Sequence, residues 1–337
     1  MRISTIALLL STLLVAACAV DRAVAPAPPP PPPPPPRLNA SLNLGGTGAS
    51  ALNNSTASAI NDSGLVVGDA QISQGDRFRA VEWRPPEYRL TVLPDLGVGT
   101  SHAVAIGRDG TIGGSLCDSD SSNCQPAYWR DGVLHQLGGL GAVNDVCSCD
   151  GHTLVGRTTV NGHDHGAIWE DDILIDVGAP DGFVNAQLVG VAHGFIVGTA
   201  YDNTEETGPT NISSYRWSPA AGWVLLGREI TVGDVNSRGS AIGGRGVIWL
   251  DGSNIGSAMG GEGLPSAIND SNVVAGSCVP DPTGPATNFL PCEWTSASGW
   301  HSIGVETFAG VRGINNSNIA VGELFEEGRS FAMLWSP

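Results

Sequence analysis

The stretch Ala59-Ile60-Asn61-Asp62-Ser63-Gly64-Leu65-Val66-Val67-Gly68, followed after a loop by Ala80-Val81-Glu82-Trp83, is one copy of the unit that decides the fold. A small apolar start runs into Asn, and the turn closes on Gly64, a residue that accepts positive φ, so a tight hairpin is expected. The same order recurs as Ala105-Ile106-Gly107-Arg108-Asp109-Gly110, Asp234-Val235-Asn236-Ser237-Arg238-Gly239, Ala267-Ile268-Asn269-Asp270-Ser271-Asn272 and Gly313-Ile314-Asn315-Asn316-Ser317-Asn318. A glycine then ends a short β-branched run, at Gly68, Gly114, Gly156, Gly198, Gly243, Gly276 and Gly322. The recurrence of Asn and Asp in these turns follows from geometry, because their side chains bond their own backbone.

Seven tryptophans mark the third strand of each copy: Trp83, Trp129, Trp169, Trp217, Trp249, Trp294 and Trp335, spaced by 46, 40, 48, 32, 45 and 41 residues. A unit this short cannot bury its own apolar faces and must stack on copies of itself. Four short strands per copy make a propeller blade. The seventh copy stops at Trp335-Ser336-Pro337 without a fourth strand, while Leu38-Asn39-Ala40-Ser41-Leu42-Asn43-Leu44-Gly45 reads as a fourth strand with no copy of its own. Pairing the two removes two exposed sheet edges at once. The expected fold is therefore all-β: a seven-bladed β-propeller, its ring closed by the N-terminal strand on the last blade. The short link from Gly243 to Trp249 makes the fifth copy the one on which the blade count turns.

These motifs resemble the bacterial HAF repeat, a family of extracellular repeats, over nearly all of 44–335. The resemblance lies in the Ile-Asn-x-x-Gly-x-Val-Val-Gly, tryptophan and Leu-Gly elements. It departs at the naming His-Ala-Phe motif, for only the third copy has His, His165, four before its tryptophan. The resemblance implies export and a propeller-like fold, and it brings no catalytic residues.

Residues 1–17 read as a lipoprotein signal peptide: Arg2, an apolar core through Leu13-Leu14-Val15, and Val15-Ala16-Ala17-Cys18, which resembles a lipobox. Lipid is expected on Cys18, with an ordinary signal peptide as the competing reading. Residues 18–37 form the tether, with nine consecutive prolines at 28–36, a stiff spacer of roughly 28 Å. The propeller is expected over 38–337. Ala19 after the cysteine points, by analogy with Gram-negative sorting, to the outer membrane or cell surface, with the membrane as partner through the lipid.

The charge is lopsided: 33 acids against 16 arginines with no lysine, net −17. Nucleic acid is excluded as a partner, because a polyphosphate would be repelled. The absence of lysine also excludes Schiff-base chemistry and the Walker-type loop. Besides Cys18 there are six cysteines. Local disulfides Cys117–Cys124 and Cys278–Cys292 are the simplest pairing, each across one hairpin loop. Cys147 and Cys149 could bridge, remain thiols or bind a soft metal, and the bridge is the reading preferred.

In a propeller the loops between second and third strands share one face with the inter-blade connections. Those loops vary in length here, over 69–79, 115–124, 157–165, 199–213, 277–291 and 323–330, so that face is where a glycan or protein ligand is expected. On it, His163 and His165 flank Asp164, a workable pair of transition-metal ligands; with no third ligand near in sequence, solvated loop polarity outweighs that reading. Asp118, Asp120 and Asn123 place oxygens at alternating positions, as calcium loops do, but lack an EF-hand's glycine turn and bidentate Glu. Ca²⁺ is thus the one cofactor worth testing, and otherwise none is expected. Trp223 and Trp300 follow Gly222 and Gly299 on outer strands, where a ring could stack on sugar. No nucleophile elbow, zincin helix or Rossmann fingerprint appears, and no catalytic residue is assigned. The chain reads as a non-catalytic binding or surface-display lipoprotein; the alternative is a glycan-active or other hydrolytic enzyme with acids at the propeller mouth.

Overall fold

A computed structural model describes residues 40–45, 54–72, 77–97, 99–118, 123–141, 144–204, 208–279, 289–306 and 308–336. The chain divides into two compact units, Met1–Pro35 and Pro36–Pro337, and everything described belongs to the second. The segments read from sequence as signal peptide and tether, with Cys18, lie outside the described residues.

The described residues form seven antiparallel sheets of four strands each. In blade 1 the strands run Ser55–Ile60, Val66–Gln71, Phe78–Arg84 and Arg89–Val92, in sequence order from the centre outward. The inner strands of the other six are Thr100–Ile106, Asn144–Asp150, Asn185–Ala192, Val232–Val235, Gly263–Ile268 and Ala309–Ile314. They neighbour one another around a ring. Blade 7 takes its outer strand from the start of the chain: Ala40–Asn43 pairs antiparallel with Arg329–Ser336, Ser41 facing Trp335 and Asn43 facing Met333. The closure read from the two orphan ends is therefore present. The fifth copy is a true blade, whose second and third strands, Ala241–Gly243 and Val247–Trp249, are joined by one 3₁₀ turn.

Every inner strand carries a β-bulge, at Ser58, Val104, Cys147, Val189, Gly233, Ser266 and Arg312. The bulge explains the recurring glycine. A Cβ on Gly68, Gly114, Gly156 or Gly322 would fall 1.9 Å from an inner-strand carbonyl oxygen, at Thr56, His102, Asp145 and Gly310 respectively. Only glycine allows that approach. In blades 2 and 5 the tryptophan ring rests on the same glycine: a Cβ on Gly114 would lie 3.0 Å from Trp129, and one on Gly243 2.8 Å from Trp249.

The tryptophans tie blade to blade. Each buries its ring and donates Nε1–H to the end of the preceding blade: Trp83 to Leu44 O (3.1 Å), Trp129 to Pro94 O (2.7 Å), Trp169 to Gly138 O (2.7 Å), Trp249 to Leu226 O (3.3 Å) and Trp294 to Met259 O (2.8 Å). Trp335 uses the Glu306 carboxylate instead (3.1 Å). Blade 4 departs from the pattern. There Trp223, not Trp217, reaches Val177 O (3.2 Å).

The turn asparagines form a second set of ties. Asn61, Asn236, Asn269 and Asn315 are buried. Each Oδ1 accepts two backbone N–H groups of its own turn, as in Asn269 from Ser271 and Val273 (both 3.0 Å). Each Nδ2 donates to the next turn: Asn236 to Asn269 O (2.7 Å), Asn269 to Asn315 O (3.0 Å), Asn315 to Asn61 O (3.1 Å) and Asn61 to Gly107 O (3.3 Å). The turn geometry inferred from sequence is present, and the same amides also stitch five blades together. Replacing Asn269 by Ala strands the Ser271 and Val273 N–H groups and removes the inter-blade donor to Asn315 O, and should cost about 3 kcal/mol; a urea-unfolding difference near zero would contradict this. Deleting 38–44 should destabilise the domain by about 3 kcal/mol or more by unpairing the Arg329–Ser336 strand, and an unchanged melting temperature would exclude the closure.

Candidate functional site: the central channel

The seven bulge residues line one cavity of about 260 Å³ in the ring centre, together with the residues running from each bulge to its turn. The bulge takes these residues out of the ladder. The bulge ring itself is Ser58, Val104, Cys147, Val189, Gly233 and Ser266 with one cation, Arg312, whose Nε donates to Glu323 Oε1 at 3.1 Å. Its volume falls just below the range of about 300–1,000 Å³ usual for small-molecule pockets. The cavity opens on the short-turn end of the channel, opposite the variable hairpins on which ligand binding was expected.

Arg108 of blade 2 spans the mouth. Its Nη2 donates to Asp270 Oδ2 of blade 6 at 2.6 Å, and its Nη1 lies 3.4 Å from His193 Nε2 of blade 4. The carboxylates around it are all engaged by backbone. Asp150 accepts from His193 N (2.6 Å), Asp62 from Asn316 N (2.9 Å) and Asp270 from Ser237 N (3.0 Å). Burial works to raise the Asp270 carboxyl, but Ser237, Asn316 and Arg108 outweigh it and hold it below its ordinary value. Asp234, beside the Gly233 bulge, accepts from Val235 N (2.8 Å) and Ile268 N (2.9 Å). Burial still pushes its carboxyl up to about 6.

At the level of the residue after each recurring glycine, Asp69 of blade 1 grips blade 2. It accepts from Ala103 N (3.0 Å) and sits 2.9 Å from His102 Nδ1, whose Nε2 is 3.1 Å from Thr100 Oγ1. The order Thr, His, Asp matches a nucleophile relay. The equivalent residue of blade 7, Glu323, likewise accepts from Thr56 of blade 1 (2.9 Å), so this position is a seam between blades. The Asp69 hydrogen bond raises the His102 pKa.

The residues singled out from sequence lie elsewhere. His163, Asp164 and His165 are in strand, not loop, because Asn161-Gly162 makes a tight turn at φ 52 and 83. Asp164 pairs with Arg157 (2.8 Å) and accepts the Tyr201 hydroxyl (2.6 Å), while His165 Nδ1 lies 3.0 Å from Asp176. Both inner partners are thus satisfied within the protein. Asp118 accepts Asn123 N (3.2 Å) across the hairpin closed by Cys117–Cys124; Asp120 lies outside the described residues. Among the described residues no group of three His, Cys, Asp or Glu is placed to hold a metal ion. Trp223 is not an open platform: its ring packs edge-on against Tyr215 at 5.8 Å and its N–H is consumed by Val177. Trp300 lines a second cavity.

Both local disulfides are formed, Cys117–Cys124 and Cys278–Cys292. The preferred bridge between Cys147 and Cys149 is not, and both are free thiols. The bulge is the reason. Cys147 has no partner in the ladder, whereas Cys149 pairs with Leu154, packs among Val146, Tyr128 and Leu154, and donates from Sγ to Thr111 O at 3.4 Å. The bulge ring went unread in the sequence although it has a signal. Each member stands three residues before its turn residue: Asn61, Gly107, Asp150, Ala192, Asn236, Asn269 or Asn315.

No protein-family model matches the chain, and no curated protein does. Solved structures are similar in fold. The β-propeller domain of the trilobed protease from Pyrococcus furiosus, described as having an open velcro topology, matches with a TM-score of 0.54 at 11% identity over 84% of this chain and 94% of that one. An acylaminoacyl peptidase from Pyrococcus horikoshii matches with 0.54 at 10% identity over 85% of this chain. TolB from Acinetobacter baumannii gives 0.48 at 9% identity over 81% of this chain. This chain spans 51% of that peptidase and 63% of that TolB. At such identities the likeness shows a β-propeller and nothing of its activity.

Two measurements check the site. Burial pushes both free thiols up to about 12, so iodoacetamide at neutral pH should leave Cys147 and Cys149 unlabelled in the folded protein and label both after unfolding without reductant. The Asp234 carboxyl, raised from an unfolded value near 3.9, gives stability that is present below that value and lost as pH rises through about 6. Melting curves across that window should therefore slope more gently in Asp234→Asn than in the natural protein, and parallel curves would contradict the burial.

Proposed function

We propose that the protein is an exported, lipid-anchored binding module of the HAF-repeat type that takes up its ligand without chemistry. One observation carries the non-catalytic reading. All four carboxylates of the channel cavity accept backbone N–H groups, so they serve as construction and none is left as a free acid and base pair. A hydrolase needs two carboxyls poised at different protonation states about a scissile bond. Export draws support from two local disulfides, which persist in oxidising compartments. Val15-Ala16-Ala17-Cys18 supplies the anchor to the outer membrane or surface, and residues 18–37 the spacer.

The hydrolytic reading keeps one observation in its favour, the raised carboxyl of Asp234. The purified protein, assayed against chromogenic glycosides, esters and peptides, should show no turnover. Turnover abolished by Asp234→Asn would replace the binding reading with the enzymatic one. For the anchor, Cys18→Ser should move the protein from the membrane to the soluble fraction. An unacylated natural N-terminus by mass spectrometry would refute it.

A further inference from the structure

Trp300 departs from the rule that governs the other inter-blade indoles. It stands on the outer strand of blade 6, Gly299–Ser302, and lines a cavity of about 560 Å³ with Gly261, Glu262, His301 and Ser302. That volume is within the range of about 300–1,000 Å³ for small-molecule sites. Six of the seven blade tryptophans find an acceptor at the end of the preceding blade, and in blade 4 Trp223 does so in place of Trp217. Trp300 Nε1 is buried and has no hydrogen-bond partner, an arrangement that folded proteins avoid unless a ligand or water completes it.

Glycine backbone sets the attitude of the ring. A Cβ on Gly263 would fall 2.0 Å from Trp300 Cε2 and one on Gly261 3.2 Å from Cδ1, so one side of the indole lies flat on the chain. Gly260 and Gly261 take φ of 70 and 73 there, which lets the link to blade 6 fold beneath the ring. Around the ring stand an exposed carboxylate, Glu262, and His301, whose Nε2 is 2.8 Å from Glu293 Oε1. Both acidic groups disfavour an anionic ligand. A flat aromatic surface, an orphan donor and a carboxylate acceptor together match the apolar C–H face and rim hydroxyls of a sugar ring.

We propose that this cavity is a subsite for a neutral pyranose of a glycan. Trp300 stacks on the sugar's C–H face, its Nε1–H donates to a hydroxyl oxygen, and the Glu262 carboxylate accepts a hydroxyl proton. The proposal rests on the reading of the protein as a binding module and gives that module a ligand class.

The test is titration of the purified full-length protein with cellohexaose, mannohexaose, xylohexaose and, as the anionic control, oligogalacturonate, read by calorimetry and tryptophan fluorescence. At least one neutral hexaose should bind. Its Kd should weaken by about tenfold or more in Trp300→Ala and by a few-fold in Trp300→Phe and Glu262→Gln. Ile173→Ser, on the exposed outer strand of blade 3 and in neither cavity, should leave that Kd unchanged. The proposal is overturned if no neutral sugar binds, if only the uronate binds, or if folded Trp300→Phe and Glu262→Gln both bind like the natural protein. Cleaved sugar in the same titration would instead overturn the non-catalytic reading, while the dependence on Trp300 would stand.

Discussion

Close backbone contact at the inner-strand bulge is the constraint on which the molecule is built. One extra residue in the innermost strand brings a carbonyl to within 1.9 Å of where a side chain would begin on the second strand in four of the blades. Glycine is therefore required at that point, and its bare surface receives a tryptophan ring in blades 2 and 5. The extra residue, released from the ladder, faces the axis and becomes the wall of the channel. One local irregularity thus sets the recurring glycine, the seat of these rings and the lining of the cavity.

Closure then depends on satisfying polar groups between blades. Burying an indole is favourable only when its N–H finds an acceptor, and the end of the preceding blade supplies one to Trp223 and to every blade tryptophan but Trp217. The asparagine amides do the same work nearer the axis, bonding their own turn with the oxygen and the next turn with the nitrogen. Blades 2, 3 and 4 lack that asparagine, and they turn to side chains instead. There Asp109 holds its own turn at Thr111 N (3.0 Å), and Asp150 holds His193 N (2.6 Å).

These substitutions bear on function. An acidic chain with carboxylates around a channel mouth invites a catalytic reading, yet each of those groups is committed to a backbone donor of a neighbouring turn. Asp234 shows the tension most clearly. Two N–H bonds favour its charge, burial opposes it, and burial prevails. The channel is a structural axis whose free chemistry is one arginine edge, two hydroxyls and a thiol. The unspent hydrogen-bonding capacity lies further out, at Trp300.

The sequence by itself determined the period, the four strands per blade, the count of seven and the closure. Each is written locally, in turn residues with positive φ, in spacing and in two orphan strands that need each other. It also determined the two hairpin disulfides, because Cys117 and Cys124 face each other in the ladder and Cys278 and Cys292 sit in adjacent strands of one hairpin. Only the tertiary structure decided which residues face the axis. A bulge breaks the alternation by which a strand assigns its side chains to faces, and it turned Cys147 away from Cys149. The roles of Trp217, Trp223 and Trp300 were likewise decided in three dimensions. Two of these indoles pair across a hairpin and only one reaches the preceding blade, and whether a tryptophan is core or platform depends on where the neighbouring blade's carbonyl falls.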